Sequence, residues 1–145
     1  MAAAGLLCFS ACSDEPSVDR IKGSYNCEAQ LFTRYQKNGK WRDTSYVYRL
    51  DNSVVIAKVD DNTVSVKAHS KKWGDAVVEN VGCSDFDYEA SFGGTGTYTL
   101  SNHSYPADIS GTVSYETRRM AVSVRVNNYP NRGGKYIISF SNSSY

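Results

Sequence analysis

From Gly23 onward the chain alternates apolar and polar side chains with a period of two. Tyr25, Cys27, Ala29, Leu31, Thr33 and Tyr35 share one face, while Ser24, Asn26, Glu28, Gln30 and Arg34 take the other. That is the pattern of a strand with one side in water, and only Phe32 interrupts it. Asn38-Gly39 supplies two residues that tolerate the left-handed backbone of a tight hairpin. Residues 41–50 then return with Tyr46, Tyr48 and Leu50 on a common face. Further strands are expected at 53–59 and 63–69 around the turn Asp60-Asp61-Asn62, with Val64, Val66 and Ala68 aligned. The alternation continues at 76–81 and again at 85–91, where Phe86, Tyr88 and Ala90 oppose Asp85, Asp87 and Glu89. Gly93-Gly94 is expected to turn the chain. Segments 95–100, 107–115, 119–126 and 135–140 complete the set, with Met120, Val122, Val124 and Val126 on one side of the third.

No amphipathic helix of useful length interrupts this series. Strand-sized segments spaced by about ten residues mark a sandwich or a barrel. Closure removes exposed sheet edges, so an all-β, antiparallel up-and-down barrel of about eight to ten strands is the preferred architecture, with a two-sheet sandwich as the alternative. The 145 residues suit one domain. Eleven Tyr against three Pro reinforce the strand reading. A formal charge of +1 provides no broad field for neutralising phosphates, so nucleic acid is not an expected partner.

The N-terminal segment follows different rules. Ala2 to Phe9 form an apolar run, followed by the small residues Ser10-Ala11 and then Cys12. This is the middle and the cut site of a secretory signal, although no Lys or Arg precedes Arg20. The run is too short for a spanning helix, which needs about 20 apolar residues. Residues 1–11 are thus read as a signal segment, 12–19 as a polar tether containing Pro16, and 20–145 as the barrel domain. Cys12, directly behind two small residues, resembles the lipidated cysteine of a bacterial lipobox. The acids Asp14 and Glu15 resemble the export signal of surface lipoproteins of Bacteroidota. These resemblances imply acylation of Cys12, a lipid bilayer as partner, and a place in the bacterial cell envelope, at the outer membrane facing periplasm or surface.

Ile21-Lys22-Gly23-Ser24-Tyr25 resembles the opening of calycin-type barrels, where Gly-x-aromatic starts the first strand. Asn62-Thr63-Val64, Trp73-Gly74-Asp75, Gly94-Thr95-Gly96-Thr97, Ile109-Ser110-Gly111-Thr112-Val113 and Tyr136-Ile137-Ile138-Ser139-Phe140 follow in an order similar to the calycin-like, lipocalin-like lipoprotein domains of Bacteroidota. The similarity spans about residues 20–142 and implies a small barrel without an assigned activity. Two departures stand out: Tyr25 replaces the usual Trp, and no arginine is evident on the last strand to stack over it.

Chemistry-bearing motifs are sparse. His69 and His103 are the only histidines, and neither has a partner at metal-ligand spacing. Asp85, Asp87 and Glu89 share a strand face but lack the pattern of a Ca²⁺ loop. No metal, cofactor or catalytic residue is assigned, and a noncatalytic role is preferred to an enzyme. Cys27 and Cys83 are either a disulfide, which an exported compartment permits, or two core thiols. Tyr25, Tyr46, Tyr48 and Tyr136 are either ligand-lining rings or core filling. Trp73, Tyr129 and Arg132 are candidate loop contacts for a glycan or a partner protein. The leading expectation is a barrel that binds a small apolar or amphipathic ligand, with a surface-complex interaction module as the alternative.

Overall fold

Ten antiparallel strands realise the alternation, curled into an up-and-down barrel, in a computed structural model that describes residues 15–127 and 134–142. A short helix, α1 (Ser17–Ile21), leads into β1 (Gly23–Asn26). Then come β2 (Glu28–Lys37), β3 (Lys40–Tyr48), β4 (Asn52–Asp60), β5 (Thr63–Ser70) and β6 (Gly74–Asp85). The chain ends with β7 (Glu89–Leu100), β8 (His103–Ser114), β9 (Met120–Val126) and β10 (Lys135–Ser141). The strands lie in the order β1-β4-β5-β6-β7-β8-β9-β10-β2-β3. Asn38 and Gly39 carry the β2–β3 hairpin turn at φ 54° and 78°, as the sequence led one to expect.

The curl depends on one bend. β1 and β2 are a single run of chain broken at Cys27: β1 pairs with β4 through Gly23↔Ile56 to Asn26↔Ser53, and β2 pairs with β10 through Glu28↔Ser141 to Arg34↔Lys135. One stretch therefore joins the two flanks of the sheet. β3 pairs with β2 but not with β4, because β1 occupies that edge of β4.

Inward positions fill the interior. Tyr25, Val54, Ala68, Ala76 and Tyr98 form one cross-strand row, and Ala29, Phe140, Val122, Gly111 and Phe92 form another. All ten are within the wall or buried core, as in small barrels filled by their own side chains. One end is stoppered by α1, whose Val18 and Ile21 are fully buried. Residues 17–19, expected to belong to the tether, are thus part of the folded body. At the other end the β5–β6 loop folds Trp73 inward, and the Tyr98 hydroxyl donates to the Trp73 carbonyl oxygen.

Arg118 fastens the α1 end. Its guanidinium donates to the Arg20 carbonyl at 3.0 Å and the Lys22 carbonyl at 3.3 Å, and lies 4.8 Å from the centre of the Tyr25 ring. Tyr25 in turn donates its hydroxyl to the Ile21 carbonyl. No arginine lies on β10, and the cation over Tyr25 comes from the β8–β9 turn. Gly23 suits the position beneath it, because φ 141° is strained for any residue with a side chain and an added Cβ would also displace the Arg118 guanidinium.

Two expectations on the chain are corrected. Segment 76–81 lies inside the longer β6, but 85–91 is not a strand of its own: β6 ends at Asp85, residues 86–88 form the hairpin tip and Glu89 opens β7, so that Phe86 and Tyr88 project with 56% and 83% of their surface exposed. Gly93-Gly94 does not turn the chain either, but lies inside β7. Opposite these glycines β6 carries an extra residue between Val77 and Cys83, with Asn80 at φ 56°. The bulge presses onto β7, so a Cβ on Gly96 would stand 2.0 Å from the Val77 carbonyl oxygen.

Two substitutions test these contacts by urea denaturation. Gly96→Ala forces backbone apart and is expected to lower stability by about 2 kcal/mol or more. Arg118→Ala removes two charge-assisted hydrogen bonds and the ring contact, with an expected loss of about 2 kcal/mol.

Candidate functional site

Because β4 pairs with β1, the outer edge of β3 is left without a neighbour, and a recess opens beside it. Leu31, Tyr46, Val47, Tyr48, Lys72 and Trp73 line a volume of about 390 Å³. Tyr46 and Tyr48 reach it from β3, because positions two apart share a strand face. Lys72 and Trp73 reach it from the β5–β6 loop, whose geometry is set by the Trp73 amide donating to Ser70 Oγ at 3.1 Å. The Trp73 and Tyr48 rings meet edge-on at 6.1 Å and 64°, and Lys72 Nζ stands 5.7 Å from the centre of the Tyr48 ring. Tyr46 is 57% exposed, so its ring is available from solvent.

Behind Tyr48 sits Asn52, buried at the start of β4. Its Nδ2 donates to the Tyr48 carbonyl at 2.7 Å and, more weakly, to the Cys27 carbonyl at 3.4 Å. Its Oδ1 is buried with no hydrogen-bond partner, the one such side-chain atom among the described residues. A buried acceptor left unpaired is costly. The recess therefore combines ring surfaces with one cation, while Asn52 Oδ1 is sealed in the wall and is not part of its lining. A dent of about 430 Å³ on the outer wall, among Ser91, Ser110, Thr112, Ser123 and Ser139, has no charged group in its lining.

The four tyrosines expected as ligand lining divide. Tyr46 and Tyr48 border the recess, joined there by Trp73 from the loop candidates. Tyr25 is buried at the α1 end under Arg118, and burial raises its hydroxyl pKa while the Arg118 charge opposes that rise. Tyr136 is buried too, its ring 5.8 Å from that of Tyr98 and their hydroxyls 3.2 Å apart. Both are wall and stopper, not lining. Cys12, Tyr129 and Arg132 lie outside the described residues. Leu31, Lys72 and Asn52 were not foreseen, since nothing local in the sequence sets them apart from other core or surface residues.

The disulfide between Cys27 and Cys83 is not made; both are free thiols. The Cys27 amide bonds to the Asn52 carbonyl at one end of β4, whereas the Cys83 amide bonds to the Asn62 carbonyl just past its other end. At ~3.3 Å per residue that puts them on the order of 20 Å apart, against a disulfide limit of about 7 Å between Cα atoms. Burial, with a smaller contribution from the Glu28 charge, pushes the Cys27 thiol up to about 11. It is a poor nucleophile at neutral pH.

His69 Nδ1 lies 2.5 Å from Asp75 Oδ1, directly across from β5 to β6. Both side chains are half-exposed on the outer sheet face, not in a cleft, so the pair lacks the enclosure that general acid–base work requires. Among the described residues no group of three or more His, Cys, Asp or Glu side chains could hold a metal ion. No described helix is long and apolar enough to cross a membrane.

No protein-family model matches the chain, and neither a curated protein nor a solved structure matches it.

Alkylation with iodoacetamide followed by peptide mass mapping tests the thiol assignment. Unfolded without reductant, the protein is expected to carry one label on Cys27 and one on Cys83. In the folded state the Cys27 rate should keep rising above pH 9 toward its pKa of about 11. A Cys27–Cys83 cross-linked peptide would contradict this.

Proposed function

We propose that the chain is a lipid-anchored, noncatalytic binding module of the bacterial cell envelope, calycin-like in plan. It holds a small amphipathic molecule at the recess beside β3 rather than in the barrel centre. The recess itself carries this reading: Tyr46, Tyr48 and Trp73 offer apolar ring surface, while Lys72 stands at the same opening. Rings with one convergent charge suit a ligand with a flat apolar face and an anionic group. The barrel centre is a poorer place for a ligand, since Phe92, Tyr98, Tyr136 and Phe140 already fill it.

The calycin-like plan draws support from the fastening of α1, where Arg118 covers the aromatic ring of Gly23-Ser24-Tyr25 and binds the preceding carbonyls. The lipid anchor draws its support from the Cys12 segment alone.

The probe 1-anilinonaphthalene-8-sulfonate has the required chemistry, a planar apolar ring system with one anionic group. Saturable binding to the native protein is expected, with fluorescence enhancement on titration. Tyr46→Ala and Lys72→Ala should each weaken it several-fold, whereas Ser110→Ala on the outer wall should leave it unchanged. Equal binding by all variants would refute the assignment.

A further inference from the structure

Phe86 and Tyr88 pose a problem that neither core packing nor the recess explains. They are large rings held out into solvent at the tip of the β6–β7 hairpin, among the carboxylates of Asp85, Asp87 and Glu89. The tip is a built feature. The Phe86 amide donates to the Glu89 carbonyl at 2.9 Å, the Tyr115 amide donates to the Tyr88 carbonyl at 3.0 Å, and the Tyr115 hydroxyl donates to Asp85. Exposed rings rimmed by polar groups mark a contact surface.

The position of the tip indicates the partner. The Ser17 hydroxyl at the start of α1 lies 3.5 Å from Cys83 Sγ, two residues before the tip begins. The Arg20 guanidinium covers the Tyr115 ring at 3.7 Å, and Tyr115 holds the tip. The chain that leads back to Cys12 thus leaves the body beside Phe86 and Tyr88. Five residue steps separate Cys12 from Ser17, a reach of at most about 17 Å at ~3.5 Å per residue. A lipid on Cys12 would hold this end of the barrel within that distance of the bilayer, at the depth where aromatic rings with polar edges are favoured.

We propose that the β6–β7 tip is a membrane-contact surface, with Phe86 and Tyr88 seated in the interfacial layer of the bilayer to which Cys12 is anchored. This rests on the lipid-anchor reading above. Two rings and an acyl anchor fix two points of contact, so the barrel stands on its α1 end and the recess beside β3, at the far end of β4, faces away from the membrane. The three carboxylates stay in water and favour a neutral lipid surface over an anionic one.

The test uses the chain from Cys12 onward, expressed behind a complete lipoprotein signal peptide and reconstituted in phosphatidylcholine vesicles containing phosphatidylcholine brominated in the acyl chains. Intact mass reads the acylation of Cys12 independently. Tyr88→Trp places a fluorophore at the tip, and Leu50→Trp places one at the exposed corner at the opposite end of β4. Both share the background of Trp41 and Trp73. With Cys12 acylated, the tryptophan at position 88 is expected to be quenched several-fold more than that at position 50. Acylated protein with equal or no quenching at the two positions overturns the contact surface and leaves the anchor standing. Protein without lipid on Cys12 overturns the anchor, and the contact surface with it.

Discussion

The bend at Cys27 is the constraint on which the rest of the structure depends. A curled antiparallel sheet must bring its two flanks together or leave long edges open to other chains. Here one chain segment serves both flanks, pairing as β1 with β4 and as β2 with β10. The interior then becomes a fixed volume that the chain's own side chains must fill at close packing. Alternation provides the wall residues, while α1 and the Trp73 loop close the ends.

The same bend determines where a ligand can sit. With β1 on the edge of β4, β3 is excluded from the closed ring of strands and keeps one free edge. Its inward-facing tyrosines therefore border a recess instead of a sealed core, and the recess lies where Trp73 has already folded over the end of the barrel. A filled centre and a bordered side recess are thus two results of one topology. Asn52 marks the junction, bonded at once to the end of β3 and to the bend itself.

Much of the fold was legible because burial in a strand has a period of two. The hairpin at Asn38-Gly39 and the inward set Met120, Val122, Val124 and Val126 follow from it directly. The same rule failed at Phe86 and Tyr88, since alternation records which side chains share a face but not whether that face is covered. Gly93 and Gly94 misled for another reason. Glycine serves both tight turns and crowded places in a sheet, and only the fold reveals which: Ser110 of β8 packs over Gly93 and Val81 of the β6 bulge over Gly94. The separation of Cys27 from Cys83 depends on strand order, which composition and spacing do not encode. The recess was half legible: Tyr46, Tyr48 and Trp73 stood out as aromatic residues. Leu31, Lys72 and Asn52 became relevant only once β2, the β5–β6 loop and the start of β4 were brought to one place.

Closure through the Cys27 bend is tested most directly by nuclear Overhauser contacts between backbone protons of the folded protein. Two sets should appear together: one linking residues 23–26 with 53–56, the other linking residues 28–34 with 135–141. Detection of the second set without the first would describe an open sheet, and would contradict both the filled centre and the recess beside β3.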